Sequence, residues 1–282
     1  MKLRQFRRAG LATLLLVLAG CGGLVDRFAT NLGEAVFNQP DPEIIRDGMP
    51  SYLILLDSLI EGSPDNASLL SSASDIYAAY GAVFVRDETR AKILTARALS
   101  YAERAVCERF EPGCSWPDVT FDEFEASLER LDDDHATVAN SYALASLAYI
   151  RAHSDDWAAL ARLPHIESLL LSLVPFTEEQ QLGAVYNYLG VLNTLRPPAL
   201  GGKPEIGRDY FERAIEMTGG KDLAVKVEFA RGYARLVYDQ ELHDALLNDV
   251  LSSPAEVPGL TLTNTLAKDD ARALLDSGAD YF

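Results

Sequence analysis

Chemistry at a protein site needs nucleophiles, acid–base groups or metal ligands gathered in one place, so the histidines and carboxylates are considered first. The four histidines are His135, His153, His165 and His243, and no two stand at the His-x3-His spacing that puts a pair of zinc ligands on one helical face. Asp132-Asp133-Asp134-His135 places its acids where they stabilise the N-terminal end of a following helix, and Ser154-Asp155-Asp156-Trp157 has the same character. Neither is read as a metal site. The chain has no Gly-x-Ser-x-Gly elbow and no dinucleotide fingerprint, and Gly201-Gly202-Lys203 lacks the upstream glycine and the following Ser or Thr of a phosphate loop. Carboxylate pairs occur anywhere among 42 acids, and most are solvated faces. The reading is of a non-enzyme, with no catalytic residue, metal or cofactor expected.

The cysteines carry a different chemistry. Met1 to Arg8 is basic, Leu11 to Ala19 is a short apolar run, and Leu18-Ala19-Gly20-Cys21 follows at once. Nine helical residues reach only about 14 Å, less than half of a hydrocarbon core of ~30 Å, so the run reads as a cleaved export signal and not as a span. Its ending resembles the bacterial lipobox, in which the cysteine is lipidated and becomes the first mature residue. Residues 1–20 are therefore expected to be a lipoprotein signal peptide, Cys21 the lipidation site, and 21–40 a lipid-anchored lead. Two acyl chains give stable attachment to a bilayer, on the periplasmic face of a bacterial membrane; Gly22, where Asp would retain the protein at the inner membrane, favours the outer one. Cys107 and Cys114 remain, seven apart around the Pro112-Gly113 turn. Export places them where disulfides persist, and the pair reads either as a bridge or as two reduced core thiols.

What must position such residues is helical. After the lead, nearly every segment carries apolar residues at helical spacing and no run alternates like a strand, so the fold class is all-α, about a dozen helices in residues 41–282. Asp41-Pro42 opens the first, Gly62 to Pro64 ends it, and 67–85 and 88–107 follow. Further helices are expected over 121–131, 134–153, 163–173, 178–195, 204–217, 222–238, 240–252 and 264–276. Two pairs share one offset: Tyr77-x2-Tyr80-Gly81 is followed seventeen residues after the glycine by Ala98-x3-Ala102-x2-Ala105, and Tyr186-x2-Leu189-Gly190 likewise by Gly207-x3-Phe211-x2-Ala214. This resembles the tetratricopeptide pattern with five residues added between the helices. Counting back from Pro64 puts Tyr52, Leu56 and Leu59 on the packing face of the first helix. Stacked antiparallel pairs build an α-solenoid with a continuous core and a curved surface that binds ligands or partners.

Two features point to where binding occurs. The chain has 25 basic and 42 acidic residues, net −17, which excludes a nucleic-acid partner. Within it, residues 203 to 235 hold Lys203, Arg208, Arg213, Lys221, Lys226, Arg231 and Arg235 against six acids. That span is the place for an anionic ligand or an acidic partner face, although Glu228, Arg231 and Arg235 also have the spacing of an ion-pair ladder. Lys203 and Lys226 lack obvious local partners, and their replacement by Glu is expected to weaken binding without unfolding. The loop from Leu195 to Glu205 is rigid and apolar, with Pro197 and Pro198 fixing the backbone and Gly201 and Gly202 permitting close approach. Tyr77, Tyr80, Tyr186, Asn187 and Tyr188, on the helices before the repeat glycines, either line the adjoining groove or belong to the core.

With these residues in view, the chain resembles the TatT-type T component of tripartite ATP-independent periplasmic (TRAP) transporters, lipoproteins with tetratricopeptide-like repeats. The likeness rests on Asp41-Pro42-Glu43 through Leu56, on Tyr186 to Gly190 with Leu195 to Glu205, on Phe211 to Glu216 and on Tyr233 to Leu247. It implies a lipid-anchored accessory protein that associates with the periplasmic solute-binding receptor of such a transporter and forms homo-oligomers, with a ligand-accommodating passage in each subunit. The function expected is a non-catalytic binding subunit for a small hydrophobic or carboxylate solute. A structural repeat lipoprotein that scaffolds envelope assembly is the rival reading. Cys107 to Ser154 carries no motif that places it.

Overall fold

A computed structural model describes residues 34–282; the signal peptide, the lipidation site Cys21 and most of the lead lie outside them. The described residues form twelve α-helices and no strand. They are α1 (Pro42–Gly62), α2 (Ala67–Val83), α3 (Glu88–Arg109), α4 (Phe121–Leu128), α5 (Asp133–Ala152), the single turn α6 (Trp157–Leu160), α7 (Leu163–Leu173), α8 (Glu179–Thr194), α9 (Pro204–Met217), α10 (Leu223–Glu228), α11 (Gln240–Ser252) and α12 (Thr261–Tyr281). Side chains that the sequence offers as caps hold most of the starts. Asp41, Asn66, Asp87, Asp132, Asp156, Asp222 and Asp239 each accept from a first-turn amide, and Thr120 with Glu123 closes a reciprocal capping box ahead of α4.

α2 packs on α3, α5 packs on both, and α8 packs on α9. In the first pair Ala98, Ala102 and Ala105 are fully buried, and Ser74 donates to the Ala98 carbonyl at 2.9 Å. At Gly81 an added Cβ would sit 3.2 Å from Leu94 and Thr95 side-chain atoms, so the repeat glycine marks a close approach. α2 buries a broad face, Leu70, Ser71, Ala73, Ser74, Tyr77, Ala78, Tyr80 and Gly81, and leaves Ser68, Ser72, Ala79, Ala82 and Val83 exposed. The small residues of α5, Ala139, Ser141, Ala143 and Ala145, allow it to lie against α2 and α3.

α1 corrects the register read from Pro64. Its packing stripe is Ile45, Leu53 and Ile60 with Met49 and Leu56, whereas Tyr52 is 41% and Leu59 49% exposed. Tyr52 and Leu59 share a second stripe with Ile44 and Leu55, about 100° around the helix, which no described element covers. The helix opens the stack and buries only one of its two apolar faces.

The stretch from Cys107 now has a structure. The two sulfurs are bonded, with the Cα atoms 4.2 Å apart across a 3₁₀ turn, Glu111–Ser115. This turn delivers Trp116 into a cage of Phe110, Phe124 and Tyr142, with its indole N–H donating to Ser127 Oγ at 2.8 Å. Arg162 donates to the carbonyls of Pro117 and Trp116 and to the Tyr142 hydroxyl. Residues 157–176 are long and apolar enough to cross a bilayer, but they are broken into α6, α7 and a 3₁₀ turn. Leu163, Ile166, Leu169, Leu170 and Leu173 of α7 are core residues.

The C-terminal third follows a second line of packing. Phe211 and Ala214 of α9 meet Val225, Phe229 and Tyr233, while Leu223, Val227 and Ala230 pack with α11 and α12 through Leu247, Val250, Ala267 and Ala271. The expected helix 222–238 is interrupted: after α10 the chain makes a π-helical segment, Phe229–Ala234. α12 is longer than its sequence pattern, beginning at Thr261 and ending at Tyr281.

Candidate functional site

The α8–α9 pair carries the candidate site. At Gly190 an added Cβ would be 2.8 Å from the Phe211 ring, and at Gly207 it would be 2.6 Å from Thr194 Cγ2 and 3.0 Å from the Gly190 carbonyl, so both glycines set the helix separation. The loop between them is tied at its base. Lys203 N–H donates to the Asn193 carbonyl at 2.9 Å, and the Asn193 amide donates to Glu167 Oε1 at 3.0 Å. Glu167 of α7 also pairs with Lys203 Nζ at 3.7 Å. Gly201 has φ +85°, and at Gly202 a Cβ would fall 1.7 Å from the Arg196 carbonyl oxygen, which only glycine permits. Pro197 and Pro198 are exposed at the tip.

Three consecutive residues of α8 have three surroundings. Tyr186 stacks on Tyr210 of α9 with ring centres 6.1 Å apart and planes 17° from parallel, and the Arg213 guanidinium lies 4.9 Å over the Tyr186 ring. Ile206, Asp209, Tyr210 and Arg213 line an open groove of about 440 Å³ on this face. Burial pushes the Tyr210 hydroxyl pKa up, with the Glu167 carboxylate adding to it. Arg213 is exposed and has no carboxylate partner among the described residues, so it keeps its charge for an outside group. Asn187 is turned inward, and its buried Oδ1 receives no hydrogen bond. Tyr188 is held up to about 12 by burial, with the carboxylates of Asp222 and Asp75 opposing its ionisation.

The other expected site residues are placed elsewhere. Tyr77 and Tyr80 are core residues with their hydroxyls engaged by α1: Tyr77 donates to Asp57 Oδ2 at 2.8 Å and Tyr80 to the Arg46 carbonyl at 3.3 Å. Tyr101 donates to the second oxygen of Asp57, and Arg97 lies over both tyrosine rings. Lys226 does have a partner: it is 8% exposed and bonded to Asp249 at 2.5 Å, so it joins α10 to α11. Arg231 pairs with Glu228 and, at 2.6 Å, with Asp270. Arg235 leaves the expected ladder and binds α12 through the Leu274 carbonyl and Ser277. The basic span is thus mostly engaged in internal pairing, except at Arg213, at exposed Lys221 and in the solvent-facing part of Lys203.

Sequence reasoning passed over Tyr210, and it counted Arg213 only as one charge among seven. Their signal was the placement of Tyr210 and Arg213 three residues apart on α9, one turn of a helix. It also passed over Asp75, although that residue is the one charge in α2. Among the described residues no three His, Cys, Asp or Glu side chains converge as a metal site.

No curated protein matches the chain. The family model of the TRAP transporter T-component does match, over residues 38–282, a range that takes in all twelve helices, the proline-glycine loop and the α8–α9 groove. The chain belongs to the TRAP transporter T-component (TAtT) family.

Proposed function

We propose that the protein is a non-catalytic accessory subunit of a TRAP-type solute uptake system, held at the periplasmic face of a membrane through lipidated Cys21, and that its partner is the system's periplasmic solute receptor. Family membership supports the transporter association. The observation that carries the partner surface is Arg213 over the Tyr186–Tyr210 stack: an unpaired guanidinium on an aromatic platform, beside the exposed Pro197 and Pro198, receives a carboxylate and an apolar group together. The chain as a whole carries a net charge of −17, so an acidic receptor face is steered to this platform and repelled elsewhere.

The test is capture of the receptor from membranes by the lipidated chain. Arg213→Glu with Tyr210→Ala is expected to reduce capture at least tenfold with the melting temperature unchanged, and Lys203→Glu to reduce it a few-fold. Undiminished capture by the first variant would remove the platform from the interface. Capture of envelope-assembly proteins with no transporter component would turn the reading to a scaffold.

A further inference from the structure

The end of a helical stack has no next repeat to cover it, and a soluble stack makes that end polar. The last helix conforms: α12 presents Asp269, Arg272, Asp276 and Ser277 to solvent. The first helix does not. Around α1 an arc of about 100° carries Ile44, Tyr52, Leu55 and Leu59, with Gly48 and Ser51 between them and no charged residue. Ile44 is 56% and Leu55 53% exposed, and Phe37, just ahead of α1 in the chain, is exposed as well. Glu43, Asp47 and Glu61 border the arc on one side, and the stripe that packs on α2 borders it on the other.

The chain reaches α1 from Cys21, and the residues between Cys21 and Asp41 span at most about 70 Å. Among the twelve helices α1 is therefore the one that the anchor holds nearest to the bilayer along the chain. A tethered face needs little area, because the tether keeps its target at high local concentration. Four large side chains fall far short of the roughly 20–30 residues a side of a standard protein interface. A second copy would also bring another net −17 to a face already edged by acids. A zwitterionic bilayer has no net charge, takes the uncharged arc at its headgroup boundary, and offers ammonium groups to Glu43, Asp47 and Glu61.

We propose that the uncovered face of α1 rests on the bilayer that holds the anchor, with Ile44, Leu55 and Leu59 entering the headgroup boundary and Tyr52 lying at its level. This rests on the reading of Cys21 as lipidated and goes beyond it: the anchor limits the distance from the membrane, and α1 decides which side of the domain faces it.

The full-length lipoprotein is reconstituted on vesicles of phosphatidylcholine and phosphatidylethanolamine. With Cys21 acylated and Cys107 bonded to Cys114, a cysteine introduced by Leu55→Cys, or by Ile93→Cys at an exposed position of α3, takes a fluorophore alone. Nitroxides on the lipid acyl chains are expected to quench the label at 55 at least fivefold more than the label at 93. Ile44→Ser with Leu59→Ser is expected to cut that difference to less than twofold, with the chain still on the vesicle and its melting temperature unchanged. Equal quenching at the two positions, or quenching at 55 untouched by the serine pair, would overturn the proposal. So would a label at 55 already shielded in detergent by an oligomer of the chain, which would assign the face to a second copy. On nickel-chelating vesicles, a chain with a histidine tag in place of residues 1–21 is tethered without acylation. Quenching at 55 there, together with an unmodified Cys21 in cells, removes the anchor and supports the docking face; an acylated Cys21 without quenching at 55 keeps the anchor and overturns the docking face.

Discussion

Burial raises the Asp75 carboxyl from 3.8 to about 6, against a smaller opposing effect of the Ser141 hydroxyl. A carboxyl whose folded-state value lies above its unfolded one stabilises the protein when protonated. The contribution is complete below about pH 4 and is lost as pH rises through 6. Asn mimics the neutral form, so Asp75→Asn is expected to exceed the parent in stability by about 2–3 kcal/mol at pH 8, with the difference closing as pH falls through 6 towards 4. Urea denaturation across that range measures it. A pH-independent difference would mean that the carboxyl titrates normally. A lone acid in the otherwise uncharged run from Ala67 to Val83 was visible in the sequence. Its surroundings were not, because Ser141 comes from a helix far along the chain and its approach is a product of packing.

At the scale of helices, the equal offsets after Gly81 and Gly190 were legible because each glycine marks a close approach to the next helix, to Leu94 and Thr95 at Gly81 and to Phe211 at Gly190. Gly190→Ala is expected to cost about 1–3 kcal/mol, since the added methyl meets the Phe211 ring, which is fully buried and has nowhere to move. Gly48→Ala on α1, with nothing within 4 Å, is the control and is expected to stabilise by about 0.5–1 kcal/mol through helix propensity. A similar effect of both in thermal denaturation would mean that helix separation at α8–α9 is not set by Gly190. The register of α1 was misread because Ile44, Tyr52, Leu55 and Leu59 repeat as regularly as the true packing stripe. Periodicity reports an apolar face and does not say whether a neighbour exists to cover it. Lys226 was misread for a related reason: Asp249 lies 23 residues away, beyond the reach of any local pattern.

For the molecule as a whole, the Cys107–Cys114 bond closes a small loop in the segment where sequence motifs gave out. Opening it is expected to lower global stability by about 2–3 kcal/mol on the chain-entropy model. The paired change Cys107→Ser and Cys114→Ser, followed by chemical denaturation and Trp116 emission, tests this. Trp116 is fully buried, so an emission red shift in the native baseline would show that the turn also seats the indole. No change in either signal would mark the bond as dispensable.

The π-helical segment bears on how the two lines of packing stay in phase. It brings Gly232 to within 2.6 Å, measured from an added Cβ, of the Thr194 hydroxyl on α8. Tyr233 faces Glu205, and Arg235 faces the C-terminal helix. A wide turn holds one residue more than an α-turn over the same rise, so it absorbs that residue locally and leaves the helix beyond it in phase. Arg235 thereby keeps its bearing on Leu274 and Ser277 of the last helix. Excising one residue from this stretch should therefore close the turn to α geometry and be tolerated, whereas inserting another should rotate the carboxy-terminal third by about 100°.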